Sequence, residues 1–190
     1  SKSEVSRICA DLDEEVGAFR DRSLAEVTYP YVFLDATYCK ARVNRRVVSQ
    51  AVVIGTGVTA DGRREVLGFD VGDSEDGAFW TAFLRGLKAR GLAGVQLVIS
   101  DAHTGLKQAI GSVLIGAAWQ RCRVHFMRNV LAVVPKGNQE MVAAVAVQHG
   151  LRTREVQELA RIVRSGDEEG VRRRMALLAS SRWSGRGGAP

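Results

Sequence analysis

YVFLDATY, Tyr31 to Tyr38, is the stretch on which the fold turns. Its aromatic and β-branched residues read as a β-strand, yet an ionisable group, Asp35, sits near its middle. A carboxylate there costs free energy unless it is paired, hydrated at a sheet edge or bound to a cation. The strand therefore needs a sheet around it and partners for its charge.

Two more strands follow, Arg46–Ile54 and Glu65–Val71, with Asp61-Gly62 as the turn between them. Connections this short imply antiparallel order. Ser74–Arg90 reads as a helix capped by Ser74, with Phe79, Trp80, Phe83, Leu84 and Leu87 on one face and Gly91 as its stop. The apolar run Val95–Ser100 suits a buried strand that ends at Asp101. A helix over His103–Ile110 and a strand over Ala117–Arg121 come next. Helical patterns then fill Val124–Ala179, broken around Pro135 and at Gly166. Upstream, Val5, Ile8, Leu12 and Val16 mark a helix over Ser3–Val16. The order β-β-β-α-β-α-β predicts an α/β fold: a ribonuclease H-like mixed β-sheet with flanking helices, followed by a helical C-terminal region. A doubly wound parallel sheet is disfavoured by the short-loop strands at the start.

Asp35 and Asp101 lie 66 positions apart. In that mixed sheet the first and fourth strands are neighbours, so the two carboxylates are expected to meet at one edge of the sheet. Close carboxylates repel unless a divalent cation neutralises them, and oxygen ligands of this kind suit Mg²⁺ or Mn²⁺. Two such ions activate the attacking oxygen and stabilise the leaving oxygen in phosphodiester cleavage. The residues alone also allow a plainer reading, with Asp35 bonded to backbone and Asp101 as a helix N-cap.

Composition sets outer bounds. The 190 residues carry 46% hydrophobic and 25% charged side chains with a net charge of +6, as expected of a globular protein and compatible with a polyanionic partner. Three scattered cysteines, Cys9, Cys39 and Cys122, form no disulfide framework and suggest a reducing cytoplasm. No segment approaches the length of a membrane helix, and the polar start is no signal peptide. The chain starts without Met, which suggests processing or a longer parent.

Four strings carry a resemblance: YPYVFLDATY, REVLGFDVGDSEDGAFWTAFLRGL, GVQLVISDAHTGLKQAI and WQRCRVHFMRNVLAVVPK. In order and spacing they resemble the Mutator-type bacterial insertion-sequence transposases, from about Ser1 to about Val147. The resemblance implies a DDE transposase, with Asp35 and Asp101 as its first two catalytic, metal-ligating aspartates and two Mg²⁺ or Mn²⁺ ions in the complete site. It implies double-stranded DNA as partner, both insertion-sequence ends and target, with homo-oligomers and a nucleoid-associated location in a bacterial cytoplasm.

The Cys122-x-x-His125 element matches a signature that follows the second aspartate in that family; by itself it is half a zinc site, so packing or an internal hydrogen bond is its expected role. Lys40, Arg42, Arg45 and Arg46 around the first hairpin, with Arg121, Arg123 and Arg128 near that element, are candidate DNA contacts, and so is His103. The expected divisions are 1–28, a helix and linker left from a helix-turn-helix; 29–134, the core; 135–182, an insertion-like helical region; and 183–190, a disordered tail. The family's third acid, a glutamate after a long helical insertion, falls past Pro190. Glu140 is the least unsuitable local substitute, while Glu155, Glu158, Glu168 and Glu169 fit the polar faces of helices. The chain alone is accordingly expected to be inactive or nearly so. The alternatives are a non-catalytic remnant that binds DNA or a partner, and a metal-dependent nuclease of the same fold.

Overall fold

The computed structural model describes residues 2–74 and 76–181, so the expected disordered tail lies outside the described residues. Two compact units divide the chain, Ser1–Cys122 and Arg123–Pro190.

The first unit is built on a five-stranded mixed sheet. Its strands are β1 (Tyr31–Val43), β2 (Arg46–Val58), β3 (Arg64–Gly72), β4 (Leu97–Ser100) and β5 (Ala118–Arg121), in spatial order β3-β2-β1-β4-β5. β1–β2 and β2–β3 are antiparallel, and β1–β4 and β4–β5 are parallel. The first and fourth strands are indeed neighbours. Parallel partners need a crossover, supplied here by α2 (Gly77–Ala89) between β3 and β4 and by α3 (Thr104–Val113) between β4 and β5.

Both crossover helices bury an apolar stripe against one sheet face. Trp80, Phe83, Leu84 and Leu87 of α2 and Leu106, Ala109, Ile110 and Val113 of α3 pack with Val32, Leu34, Val53, Leu67 and Val98. On the opposite face Tyr31, Phe33, Ile54, Val66 and Val71 remain about two-fifths exposed. The cap of α2 differs from expectation. Asp76, not Ser74, closes it, because the Asp76 carboxylate accepts from the Phe79 N–H at 2.9 Å while the Ser74 hydroxyl donates to that same carboxylate. Gly91, at φ +103°, ends the helix as expected.

α1 (Lys2–Asp21) is longer than its sequence pattern suggested. Its stripe of Val5, Ile8, Leu12 and Val16 is exposed, and contact with the sheet comes at its last turn. There Phe19 stacks on Phe69 at 6.0 Å and Arg20 pairs with Asp70 at 2.7 Å. β1 and β2 also outrun their expected ends, and a two-residue turn, Asn44-Arg45, joins them with both φ values positive. Two-residue hairpin turns continue strands to their very tips.

The second unit has its own core. α4 (Arg123–Ala132), a 3-10 turn (Lys136–Asn138), α5 (Gln139–Gln148), α6 (Thr153–Arg164) and α7 (Glu168–Ser181) surround Phe126, Val142, Val145, Val156, Leu159 and Val163. Breaks fall at Pro135 and at Gly166, the latter with φ +72°. Among the described residues no helix is long and apolar enough to cross a membrane.

Tyr29 locks the far edge of the sheet. Its ring lies over Gly57, where a Cβ would stand 2.5 Å from the ring, and its hydroxyl donates to Glu65 at 2.6 Å. Gly57→Ala should therefore lower stability by about 1–3 kcal/mol in a denaturant titration. Burial first and the Glu65 carboxylate second push the Tyr29 phenol up to about 12, from an ordinary 10.0. A raised phenol contributes stability that is full below pH 10 and lost as pH rises through about 12. The bond from Tyr29 is the main influence holding Glu65 below its usual value; that contribution is full above the ordinary carboxylate range and lost as pH falls through the lowered value. Tyr29→Phe should flatten the alkaline limb of a stability-versus-pH curve.

Candidate active site

The parallel ladder between β1 and β4 runs Tyr31↔Leu97, Val32↔Val98, Phe33↔Ile99, Leu34↔Ser100. The next residue on each strand is an aspartate: Asp35 follows Leu34, and Asp101 follows Ser100. Adjacent strands lie about 4.8 Å apart, so the register brings these two residues to neighbouring positions where β4 ends and β1 continues. Alternation puts Val32 and Leu34 in the core and leaves Asp35 exposed on the other face. Asp101 is half exposed.

Local bonds fix both backbones. One Asp35 oxygen accepts from the Ala36 N–H at 3.0 Å, and one Asp101 oxygen accepts from the Ala102 N–H at 2.7 Å. The Ser100 hydroxyl, 1% exposed as a residue, donates to the Asp101 carbonyl at 2.9 Å and accepts from the Trp119 indole N–H at 2.9 Å. The Cys122 N–H donates to the Ser100 carbonyl at 2.6 Å. β5 thus braces the end of β4 through side chain and backbone together. The Lys107 ammonium rests over the Trp119 ring at 4.6 Å. Ser100, Trp119 and Lys107 escaped the sequence reading. Their only signal is the cross-strand register, which a lone sequence does not contain.

Arg121 sits opposite Ser100 in the β4–β5 register, and its guanidinium stands 3.8 Å from an Asp101 oxygen. One of the expected phosphate contacts is thus tied to the candidate carboxylate. His103 caps α3, its Nδ1 accepting from the Leu106 N–H at 3.3 Å, which requires the proton on Nε2. The plainer possibility for Asp101, a helix N-cap, gives way: His103 holds that position. Lys40, Arg42, Arg45 and Arg46 stand away from the pair, along the hairpin of β1 and β2.

Arg123, His125 and Arg128 belong to α4 in the second unit, whereas Cys122 closes the first. Glu140 is exposed in the first turn of α5. Glu155 and Glu158 pair with Arg174 at 3.6 and 3.4 Å, Glu168 with Arg172 at 3.5 Å, and Glu169 with Arg173 at 3.0 Å. Among the described residues no three His, Cys, Asp or Glu side chains group as a metal site. Asp35 and Asp101 offer oxygen donors only, a set that would suit a hard divalent cation completed by water and phosphate oxygens.

A family model described as "Transposase, Mutator family" matches residues 1–164. The transposase for insertion sequence element IS1081 of Mycobacterium tuberculosis is 53% identical over 136 residues, 72% of this chain and 33% of that protein. The transposase for IS256 in transposon Tn4001 of Staphylococcus aureus is 44% identical over 74% of this chain and 36% of its own length. For the IS406 transposase of Burkholderia multivorans the figures are 47%, 78% and 37%. The chain spans about a third of the length of these relatives. Among solved structures, the Drosophila P element transposase strand transfer complex is a distant likeness, with a TM-score of 0.39 at 14% identity over 62% of this chain and 32% of that one.

The brace under Asp101 has a measurable cost of removal. Ser100→Ala strands the Trp119 N–H and should destabilise by about 1–3 kcal/mol, whereas Ser100→Ala with Trp119→Phe, which removes both partners, should recover part of that loss in the same chemical melt.

Proposed function

Because the chain belongs to the Mutator family of transposases, we propose that its first unit is a ribonuclease H-like catalytic core of the DDE type, acting on DNA phosphodiesters. The observation that carries this reading is the β1–β4 register, which continues directly into the adjacent pair Asp35 and Asp101. The strand order, with three antiparallel strands followed by two parallel ones, supports the same core.

Asp35 and Asp101 would hold Mg²⁺ or Mn²⁺. When bound, the cation neutralises charge on the scissile phosphate and lowers the pKa of the attacking water or 3′-hydroxyl. The chain's own part is placement. β1 holds Asp35 in its ladder with β2, one residue past the end of the β1–β4 pairing, and the Ser100–Trp119 brace holds the segment that carries Asp101. Ligands on rigid strands lose little freedom when they engage. Arg121, beside Asp101, keeps a positive charge at the site and lowers the cost of two neighbouring carboxylates. Duplex DNA, both element ends and target, is the proposed substrate, and oligomers of the longer protein the proposed working form.

With Asp35 and Asp101 as its two candidate carboxylates, the 190-residue chain by itself is proposed to bind DNA and to turn over little or not at all. Manganese binding, followed by paramagnetic resonance, tests the pair: Asp35→Asn and Asp101→Asn should each weaken it at least about tenfold, the effect of 1.4 kcal/mol. Unchanged binding in both variants would sink the assignment. A strand-transfer assay in Mg²⁺ tests the second half. Robust joining by the 190-residue chain, abolished by Asp35→Ala, would overturn its inactivity while upholding the roles of the aspartates.

A further inference from the structure

β1 and β2 are each 13 residues long, far longer than their neighbours allow. β4 pairs with β1 only over Tyr31–Leu34, and β3 pairs with β2 only from Ala51 onward. Residues 38–50 therefore leave the sheet as a free two-stranded ribbon, closed at Asn44-Arg45, in which no residue is buried. From Asp35 to the tip is nine residues, about 30 Å at strand rise.

Its chemistry is one-sided. Lys40, Arg42, Arg45 and Arg46 lie on it, and no acidic residue occurs between Asp35 and Asp61. The register places Lys40 and Arg42 on one face beside Ser49 and Val47, and Arg46 on the other beside Val43. Tyr38 is 53% exposed and Val47 63%. A charged edge also deters strand pairing, but either sign does that, and every charge here is positive. Arg45 adds a second observation. It stands at φ +66° in a turn where glycine is favoured, so a cation is kept at the tip against a backbone cost.

We propose that this ribbon is a DNA arm that lies in the major groove of the duplex flanking the phosphodiester addressed by Asp35 and Asp101. It rests on the reading above that the first unit acts on DNA. The major groove is wide enough for a two-stranded ribbon, and the arm's reach corresponds to a little under one helical turn. Lys40, Arg42, Arg45 and Arg46 contact phosphates on both walls, while Tyr38, Val43 and Val47 meet base edges and sugars.

The test uses the 190-residue chain and a duplex about four helical turns long, titrated at several salt concentrations. The variant combines Lys40→Gln, Arg42→Gln, Arg45→Gly and Arg46→Gln. The slope of log K against log salt should become shallower by about 3–4, and affinity at about 0.1 M salt should fall more than tenfold. Guanine N7 protection from methylation over about one turn on one side should vanish. Should the variant lose its cooperative melt, Lys40→Gln with Arg42→Gln carries the test, with an expected change in slope of about 2.

Unchanged slope and unchanged N7 protection overturn the arm and leave the DNA-acting core standing. A shallower slope where the unsubstituted chain protects no N7 puts the ribbon outside the groove and also overturns it. If the unsubstituted chain binds no duplex at any salt concentration, the core reading falls and the arm with it.

Discussion

The parallel pairing of β1 with β4 is the constraint on which the rest of the first unit depends. It brings together residues 66 positions apart and requires α2 as a crossover. It also fixes the register from Tyr31↔Leu97 to Leu34↔Ser100. A slip of one residue would turn Val32 and Leu34 outward and bring Asp35 to the helix-covered face. The fully buried Val32 and Val98 are thus the energetic guarantee of where the carboxylates stand. Core packing and site geometry are one choice here.

The same pairing explains why a carboxylate is tolerated in mid-strand. β4 stops at Ser100, one residue before β1 reaches Asp35. Asp35 therefore lies where the sheet has lost a neighbour on one side, on the face away from α2 and α3. Its charge stays in contact with water and avoids the desolvation cost that burial would impose. Asp101 escapes similarly by lying just past a strand end. The Arg121 guanidinium stands 3.8 Å from its carboxylate.

Much of this was legible in the residues. The alternation in YVFLDATY announces a strand with Asp35 on the opposite side from Val32 and Leu34, and Trp80, Phe83, Leu84 and Leu87 announce the buried face of α2. The neighbouring of the first and fourth strands followed from the element order. What stayed hidden depends on contacts between distant segments. Trp119 reveals its partner only when β5 is laid beside β4 in register, and Arg121 meets Asp101 for the same reason. Asp76 displaced Ser74 as cap because a carboxylate one step before the helix reaches the Phe79 N–H. The stripe on α1 misled in the other direction. Periodicity shows that a helix could bury a face but not that anything covers it.

The basic residues around the first hairpin belong to a ribbon that continues β1 and β2 without a break. β1 therefore carries Asp35 and the cationic arm on one uninterrupted backbone. Strand alternation then phases the two: Asp35 shares a face with Cys39 and Val43, while Lys40 and Arg42 take the other. An insertion or deletion of one residue between Asp35 and Lys40 would exchange the ribbon's faces relative to the aspartate without disturbing the core. A loop would transmit no such phase. A ladder of paired backbone bonds does, so the length of β1 sets both the reach of the arm and its orientation toward the carboxylate pair.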